Sequence, residues 1–405
     1  MRPALIAVIT ACEQPITGTE PGPGTSFLRD PTVHSTARGL GRPLRFLTPH
    51  ERRLFKPGSV VFQTVFTPET GLGPLFNSTA CAGCHEDPVV GGAGSNDPEE
   101  GGEDVEVHAT AFVGGACNAL AASGGPVFQK RVTPALRDAL GIELEPVSGE
   151  ATATALRTTP DLLGFGLLDA VPDEVILVLA DPSDRDGDGI SGRPNRAPDG
   201  RLGRFGRKAQ VPTLREFNAE AFVMEMGITN PGLQSEQNIG GNPIPAGVDP
   251  TPEPEIAQDA LEAADAFVRL LAPPNQPALT FAHRLGRRVF SHIGCTGCHV
   301  PALPTGNNPV RALSHRVVAA YTDLLLHDMG PALADICLGQ AEPSEFRTEP
   351  LMGLRFATAF LHDGRARTID EAIELHGGEA ATARDRFAAL LPRHRTALMK
   401  VLRSL

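Results

Sequence analysis

The stretches "STACAGCHEDP" (residues 78–88) and "GCTGCHVP" (residues 294–301) each place two cysteines three apart with a histidine directly behind. The whole chain has 7 cysteines and 12 histidines in 405 residues. At those frequencies a C-x-x-C-H pentapeptide arises by chance about 0.004 times, so two copies constrain the fold. Two thiols at this spacing reach the two vinyl groups of a haem, and the next residue turns its imidazole onto the iron. A zinc knuckle would need a second ligand pair at matched spacing, and neither site has one nearby. A redox dithiol needs no trailing histidine and usually opens a helix in a βαβ unit, of which the sequence gives no sign. The motifs predict two covalently bound haem c groups. Cys81, Cys84 and His85 would hold one, Cys295, Cys298 and His299 the other, with the two histidines as proximal iron ligands.

The remaining cysteines point to an exported chain. Cys12 follows Arg2 and a short apolar run, and Ile9-Thr10-Ala11-Cys12 has the pattern of a lipoprotein signal. Residues 1–12 therefore read as a lipoprotein-type signal peptide with Cys12 as the lipidated residue; an ordinary cleaved signal or a plain apolar N-terminus are the alternatives. So short an apolar stretch does not span a membrane as a helix, so membrane contact would run through the lipid anchor alone. Either signal leads to the periplasm or cell envelope, an oxidising compartment. There Cys117 and Cys337 could pair and tie the two halves together, or stay as two buried thiols; sequence does not give their distance.

The net charge of −12 leaves no nucleic-acid footprint. The length suffices for two domains with their own cores. With 43 glycines and 37 prolines, long ordered loops between helices are expected rather than a large sheet. Residues 13–40 read as a flexible linker. The boundary falls near "LAPPNQPALT", giving an N-terminal haem domain over 41–273 and a C-terminal one over 274–405. Three features recur in order. Phe76 and Phe290 each lie five residues before the first motif cysteine, following Gly73 and Gly286. "RTTP" and "RTEP" start at Arg157 and Arg347. "PDEVI" and "IDEAI" follow at 172–176 and 369–373. They suggest a duplicated haem-binding unit. Helices are expected at "TPALRDAL" behind Thr133, at "PEIAQDALEAADAFVRLL", before the second motif, behind the Thr368–Glu371 capping box, and twice at the C-terminus. The expected fold class is all-α, two cytochrome c-like haem domains with long ordered loops and little β structure.

With "FNSTACAGCHEDPVVGG", "ADPSDRDGDGISGRPN", "LGRFGRKA", "CTGCHVP", "LLLHDMGPALAD", "FRTEPLMGLR" and "FLHDGRARTIDEAIELHGGEA" in this order, the chain resembles the bacterial di-haem oxidoreductases, relatives of the di-haem cytochrome c peroxidases. The resemblance spans most of residues 40–405. It implies a peroxide-binding haem in the N-terminal domain and an electron-accepting haem in the C-terminal domain. The implied partners are hydrogen peroxide or a similar small oxidant and an electron-donor protein, a small cytochrome or cupredoxin. Rival readings are a pure electron-transfer cytochrome and an oxidase of a partner protein or organic substrate. The family pattern has tryptophans where this chain has Arg207 and Met352. With no Trp and a single Tyr, Tyr321, hopping through aromatic rings has little support. Where the peroxidases place a methionine ligand ahead of "HDG", this chain has Phe356.

The candidates for the remaining chemistry follow from ligand type. Met329 or His327, a polar island inside "LLLHDMGP", would supply the sixth ligand of the C-terminal haem, with Met352 and His362 behind them. Proton movement at a peroxide-cleaving haem needs a carboxylate in a dry pocket. The resemblance points to Glu174 and Asp169 in "GLLDAVPDEV"; a first-turn carboxylate serving a helix dipole is the competing account of Glu174. His108 is a weaker candidate. Asp184, Asp186 and Asp188, followed by Gly189, match the start of a calcium loop, although Asn195 holds the twelfth position where an acid is expected.

Overall fold

The computed structural model describes residues 39–94, 104–276 and 280–405. Cys12, the signal and nearly all of the linker lie outside the described residues. The helices are α1 (Pro49–Gln63), α2 (Pro134–Leu140), α3 (Phe165–Asp169), α4 (Asp173–Leu177), α5 (Leu214–Met226), α6 (Gln258–Leu270), α7 (Phe281–His292), α8 (Ile369–Glu374), α9 (Ala381–Ala388) and α10 (Pro392–Leu402). The strands are β1 (Leu75–Phe76), β2 (Val105–Val113), β3 (Ala116–Asn118), β4 (Val127–Phe128), β5 (Arg131–Val132), β6 (Ala153–Thr158), β7 (Leu303–Pro304), β8 (Val317–Val318), β9 (Leu326–Asp328) and β10 (Glu345–Arg347). Among the described residues no helix is long and apolar enough to cross a membrane.

The expectation of an all-α fold is wrong. The chain is 32% helix and 14% strand, a mixed α/β architecture with several small sheets. β2 is the spine of the largest sheet. It pairs antiparallel with β3, β4 and β6, and its register with β6 runs from Val105↔Thr158 to Thr110↔Ala153. Its sequence, VEVHATAFV, is rich in β-branched residues and carries polar groups at alternate positions early on. The other strands are two to six residues long; all but β6 are too short to show a period of two, and β6, ATALRT, does not alternate cleanly.

Two helix pairs repeat. α1 crosses α6, and α7 crosses α10. At each crossing a glycine lets the backbones touch. A Cβ on Gly58 would lie 1.9 Å from the Ala263 carbonyl oxygen, and one on Gly286 2.2 Å from that of Ala397. Four residues later comes a buried phenylalanine, Phe62 or Phe290. The Phe62 ring is 6.1 Å and 52° from His85, and the Phe290 ring 6.4 Å and 54° from His299. This corrects the repeat read from spacing: the counterpart of Gly286 and Phe290 is Gly58 and Phe62, not Gly73 and Phe76. In the first copy α1 ends 18 residues before Cys81, whereas α7 runs almost directly into Cys295.

The largest apolar cluster draws on both halves of the chain, with Phe62, Phe165 and Phe267 beside Leu303, Leu313 and Leu324. A second cluster holds Val289, Phe290, Tyr321, Phe387, Leu398 and Leu402. A disulfide joins Cys117 in β3 to Cys337 across 220 residues. Arg157 from β6 and Lys208, both buried, pair with the partly buried Asp335 at 2.5 and 3.3 Å.

Gly58→Ala and Gly286→Ala will each lower stability by about 1–3 kcal/mol, because the new methyl meets backbone rather than a flexible side chain. Gly149→Ala, with nothing within 4 Å of its would-be Cβ, is the control. Denaturant unfolding of the three variants checks this.

Candidate functional site

Both C-x-x-C-H segments form the same 3-10 turn, Cys81–Gly83 and Cys295–Gly297. The His85 N–H donates to the Cys81 carbonyl at 3.0 Å, and the His299 N–H to that of Cys295 at 2.9 Å. Each imidazole is oriented from behind: His85 Nδ1 donates to the Gly92 carbonyl and His299 Nδ1 to the Tyr321 carbonyl, both at 3.0 Å. At His299 that fixes the tautomer and leaves Nε2 with a lone pair for a metal, while His85 has a further backbone hydrogen bond to Pro160. Burial holds both rings in the neutral form a ligand needs; His299 is pushed down to about 4 and His85 is lowered. The four motif cysteines form no disulfide with one another, while the other described cysteines form one. Two thiols and one pre-oriented imidazole per turn fit a haem at each site.

The lead-in to the first turn hangs on α5. The N–H groups of Asn77 and Ser78 both donate to the Glu225 carbonyl. The Glu225 side chain accepts from Asn77 Nδ2 at 2.8 Å and shares a hydrogen bond with the Glu106 carboxyl from β2. Glu106 is bonded to His108 Nε2 at 2.9 Å. The two carboxyls separate in proton affinity. Burial, then the negative charge of Glu106, raises Glu225 well above the usual range. Burial pushes Glu106 the same way, but the hydrogen bond to His108 and the charge of that ring outweigh it and leave Glu106 lowered. One carboxyl is a stored proton and the other an ionised acceptor, and Glu225 is tied by backbone and side chain to Asn77, four residues before Cys81. Neither was among the sequence candidates. Behind them Glu145, 1% exposed and pushed up to about 8 by burial, accepts from the Gln129 N–H at 2.9 Å.

The expected proton carriers stand elsewhere. Asp169 forms an ion pair with Arg269 and accepts from the Leu214 N–H, which anchors α5. Glu174 is exposed in the first turn of α4, where it favours the helix dipole. His108 does belong to the site, but as the partner of Glu106.

The sixth-ligand candidates are mostly engaged. His327 Nε2 meets Asp323 and Nδ1 meets Glu379, both at 2.8 Å. Burial disfavours its charge, but Asp323 and then Glu379 raise its proton affinity well above normal. An imidazolium with both nitrogens committed has no lone pair to give, although it sits 3.5 Å from Cys298 Sγ. Met329 follows it, half-buried, its N–H on the Ser344 carbonyl. Met352 is core, packed over Gly164. His362 stacks on Phe346 at 4.2 Å, and its Nε2 lies 3.2 Å from Asp335. Arg207, in place of an aromatic, donates to the Thr158 carbonyl and pairs with Glu349 at 2.9 Å, bridging the two halves.

The carboxylates of Asp184, Asp186 and Asp188 converge within 4.8 Å on an exposed loop. Asn195 takes no part; it is fully buried and bonded to the carbonyls of Lys208 and Leu338. The loop is instead tied to the second half by Ser191, whose N–H and hydroxyl both donate to Glu379. Glu236, Asp249, Glu253 and Glu255 form a second carboxylate cluster.

Asp161 sits at the junction of the halves, against Gly353, with Oδ2 lacking a hydrogen bond. Burial pushes it up to about 7 from 3.8. A folded value above the unfolded one means that stability is fully present below pH ~4 and lost as pH rises through 7. Asp161→Asn will therefore stabilise the protein at pH 8 by about 2–4 kcal/mol and leave it little changed near pH 4, read from denaturant unfolding at both pH values.

A family model described as "Di-haem oxidoreductase, putative peroxidase" matches residues 149–405, which contain the second motif and follow the first. Among solved structures, Kuenenia stuttgartiensis hydrazine synthase aligns over 100% of both chains at 15% identity and TM-score 0.39. A MauG-like protein associated with microbial copper homeostasis aligns over 89% of this chain and 90% of its own at 13% identity and TM-score 0.39. A variant of the diheme peroxidase BthA from Burkholderia thailandensis aligns over 91% and 88% at 15% identity and TM-score 0.38. No curated protein matches in sequence. The family match covers well over half of the chain, and this protein belongs to the di-haem oxidoreductase family, with haems as its cofactors.

Proposed function

We propose that this protein reduces hydrogen peroxide with electrons from a small carrier protein. The balance is H2O2 plus two electrons and two protons giving two waters, each carrier being oxidised by one electron. In this reading both haems are held covalently by thioethers, at Cys81 and Cys84 and at Cys295 and Cys298, with His85 and His299 as iron ligands. Bound haems supply the redox equivalents and the metal at which peroxide is cleaved. The chain's own contribution at the first site is proton handling. Glu225 holds a proton that an oxygen leaving as water can take, and Glu106, kept ionised by His108, accepts one from the incoming peroxide. That pair, with Glu225 bonded to Asn77 in the lead-in to the first motif and Glu106 bonded to His108, is the observation that carries the proposal.

Export is part of the same reading. The Cys117–Cys337 disulfide supports an oxidising compartment, the periplasm or cell envelope, with Cys12 as lipid anchor. The loop of Asp184, Asp186 and Asp188 would take calcium, hard oxygen ligands on a turn fastened through Ser191 to Glu379.

Glu225→Gln and Glu106→Gln will each lower peroxide turnover, driven by a small-molecule reductant, by about 10²–10⁴-fold without changing the resting visible spectrum. Wild-type turnover in both variants would remove them from the mechanism. In the half-reduced holoprotein, one equivalent of peroxide will consume a high-spin EPR signal. Two low-spin haems indifferent to peroxide in both redox states would leave electron transfer as the function.

A further inference from the structure

The two repeated helix pairs differ in charge. α1 and α6 balance, with Arg52, Arg53, Lys56 and Arg269 against Glu51, Asp259, Glu262 and Asp265. α7 and α10 carry Arg284, Arg287, Arg288, Arg393, Arg395 and Lys400 and no Asp or Glu. The crossing at glycine works with either composition, so packing does not require the basic surface. It is also out of keeping with a chain of net charge −12. Arg288, Arg393 and Lys400 are exposed, and so is Arg386 on neighbouring α9, where the one acid, Asp385, is paired with Arg384. Phe281, at the start of α7, is 76% exposed, and Leu391, just before α10, 52%. Between the helices runs an open groove lined by His283, Asp370, Arg395, Met399, Lys400 and Arg403, in which Arg395 and Arg403 lie 2.7 and 3.8 Å from Asp370 and Lys400 stays exposed.

This face adjoins the second attachment turn. α7 leads through Ile293 and Gly294 into Cys295, and Arg386 Nη1 lies 3.5 Å from where a Cβ of Gly294 would be. A protein seated on α7 and α9 would thus lie beside the turn that carries Cys295, Cys298 and His299. Long-range attraction between a basic face and an acidic partner raises the encounter rate and orients the approach.

We infer that α7, α9 and α10 form the docking face for an acidic electron-carrier protein, one with carboxylates around its exposed redox edge. The inference rests on the reading of the protein as a carrier-fed reductase. Each docking event passes one electron from the reduced carrier, which leaves oxidised, and two events supply the electrons for one peroxide.

The test uses the full-length holoprotein and follows haem reduction by stopped flow, without peroxide. The probes are reduced acidic plastocyanin and, as a basic control, reduced mitochondrial-type cytochrome c. The rate with plastocyanin will fall steeply as ionic strength rises from 10 to about 200 mM, and that with cytochrome c will not. The triple variant Arg288→Glu, Arg386→Glu, Lys400→Glu will lose about tenfold or more of the plastocyanin rate. Its peroxide turnover with a small neutral reductant will equal that of the wild type. A plastocyanin rate indifferent to salt in the wild-type protein, or unchanged in the variant, overturns the inference. So does binding of the wild type but not the variant to phosphatidylglycerol vesicles with unchanged carrier rates, which would make the face a membrane contact. Loss of peroxide turnover with the small reductant in the wild type itself would count against the peroxidase reading and leave the docking result standing.

Discussion

The contact at which α7 rides over α10, its Gly286 against the Ala397 carbonyl, has a twin in α1 over α6. Both attachment turns depend on it. With hydrogen in place of a side chain, each pair of backbones closes to contact, and the phenylalanine one turn on is driven under the histidine of the motif. Burying such a ring contributes about 2–3 kcal/mol, and its placement also limits how the imidazole can tilt. A backbone carbonyl then takes the Nδ1 proton. Neutral, singly oriented histidines are the outcome at two places with almost the same geometry, although the chain between helix and motif is much longer in the first copy.

The halves are joined by charge as well as by apolar packing. Arg157 and Lys208 from the first half meet Asp335 from the second in a setting with almost no solvent, and Lys208 Nζ also donates to the carbonyls of Glu342, Pro343 and Glu345. Burying such ions is costly, and removing one partner strands the others. The arrangement therefore defines one relative placement of the halves more than it adds net stability. Arg207 and Ser191 act in the same direction, through Glu349 and Glu379.

The proposed function divides along this seam. The first half holds a carboxyl pair, Glu225 protonated and Glu106 ionised, next to the lead-in to its attachment turn. The second half has a buried imidazolium, His327, clasped by Asp323 and Glu379, and an outer surface of arginines. Proton chemistry suits the one and the approach of an electron carrier suits the other.

The two pentapeptides, the capping box at Thr368 and the apolar stripes of α6 and α7 were legible in the sequence, because each is a local pattern whose physics acts within a few residues. The family could be read from them as well. Only the folded chain decided the rest. Nothing local marks Glu106 as different from any strand glutamate; it matters because β2 brings it to Glu225, more than a hundred residues away, and to His108. His327 and Asp169 have the right chemistry for the roles expected of them, yet in space His327 is clasped between Asp323 and Glu379, and Asp169 is tied to Arg269 and the Leu214 N–H. The sheet around β2 went unseen since its partner strands are too short or too irregular to carry a period, and the repeat was misaligned since an insertion displaces α1 from its motif. Sequence determined which groups the protein carries, and tertiary structure decided which of them meet, because burial and pairing set the charge and availability of every candidate.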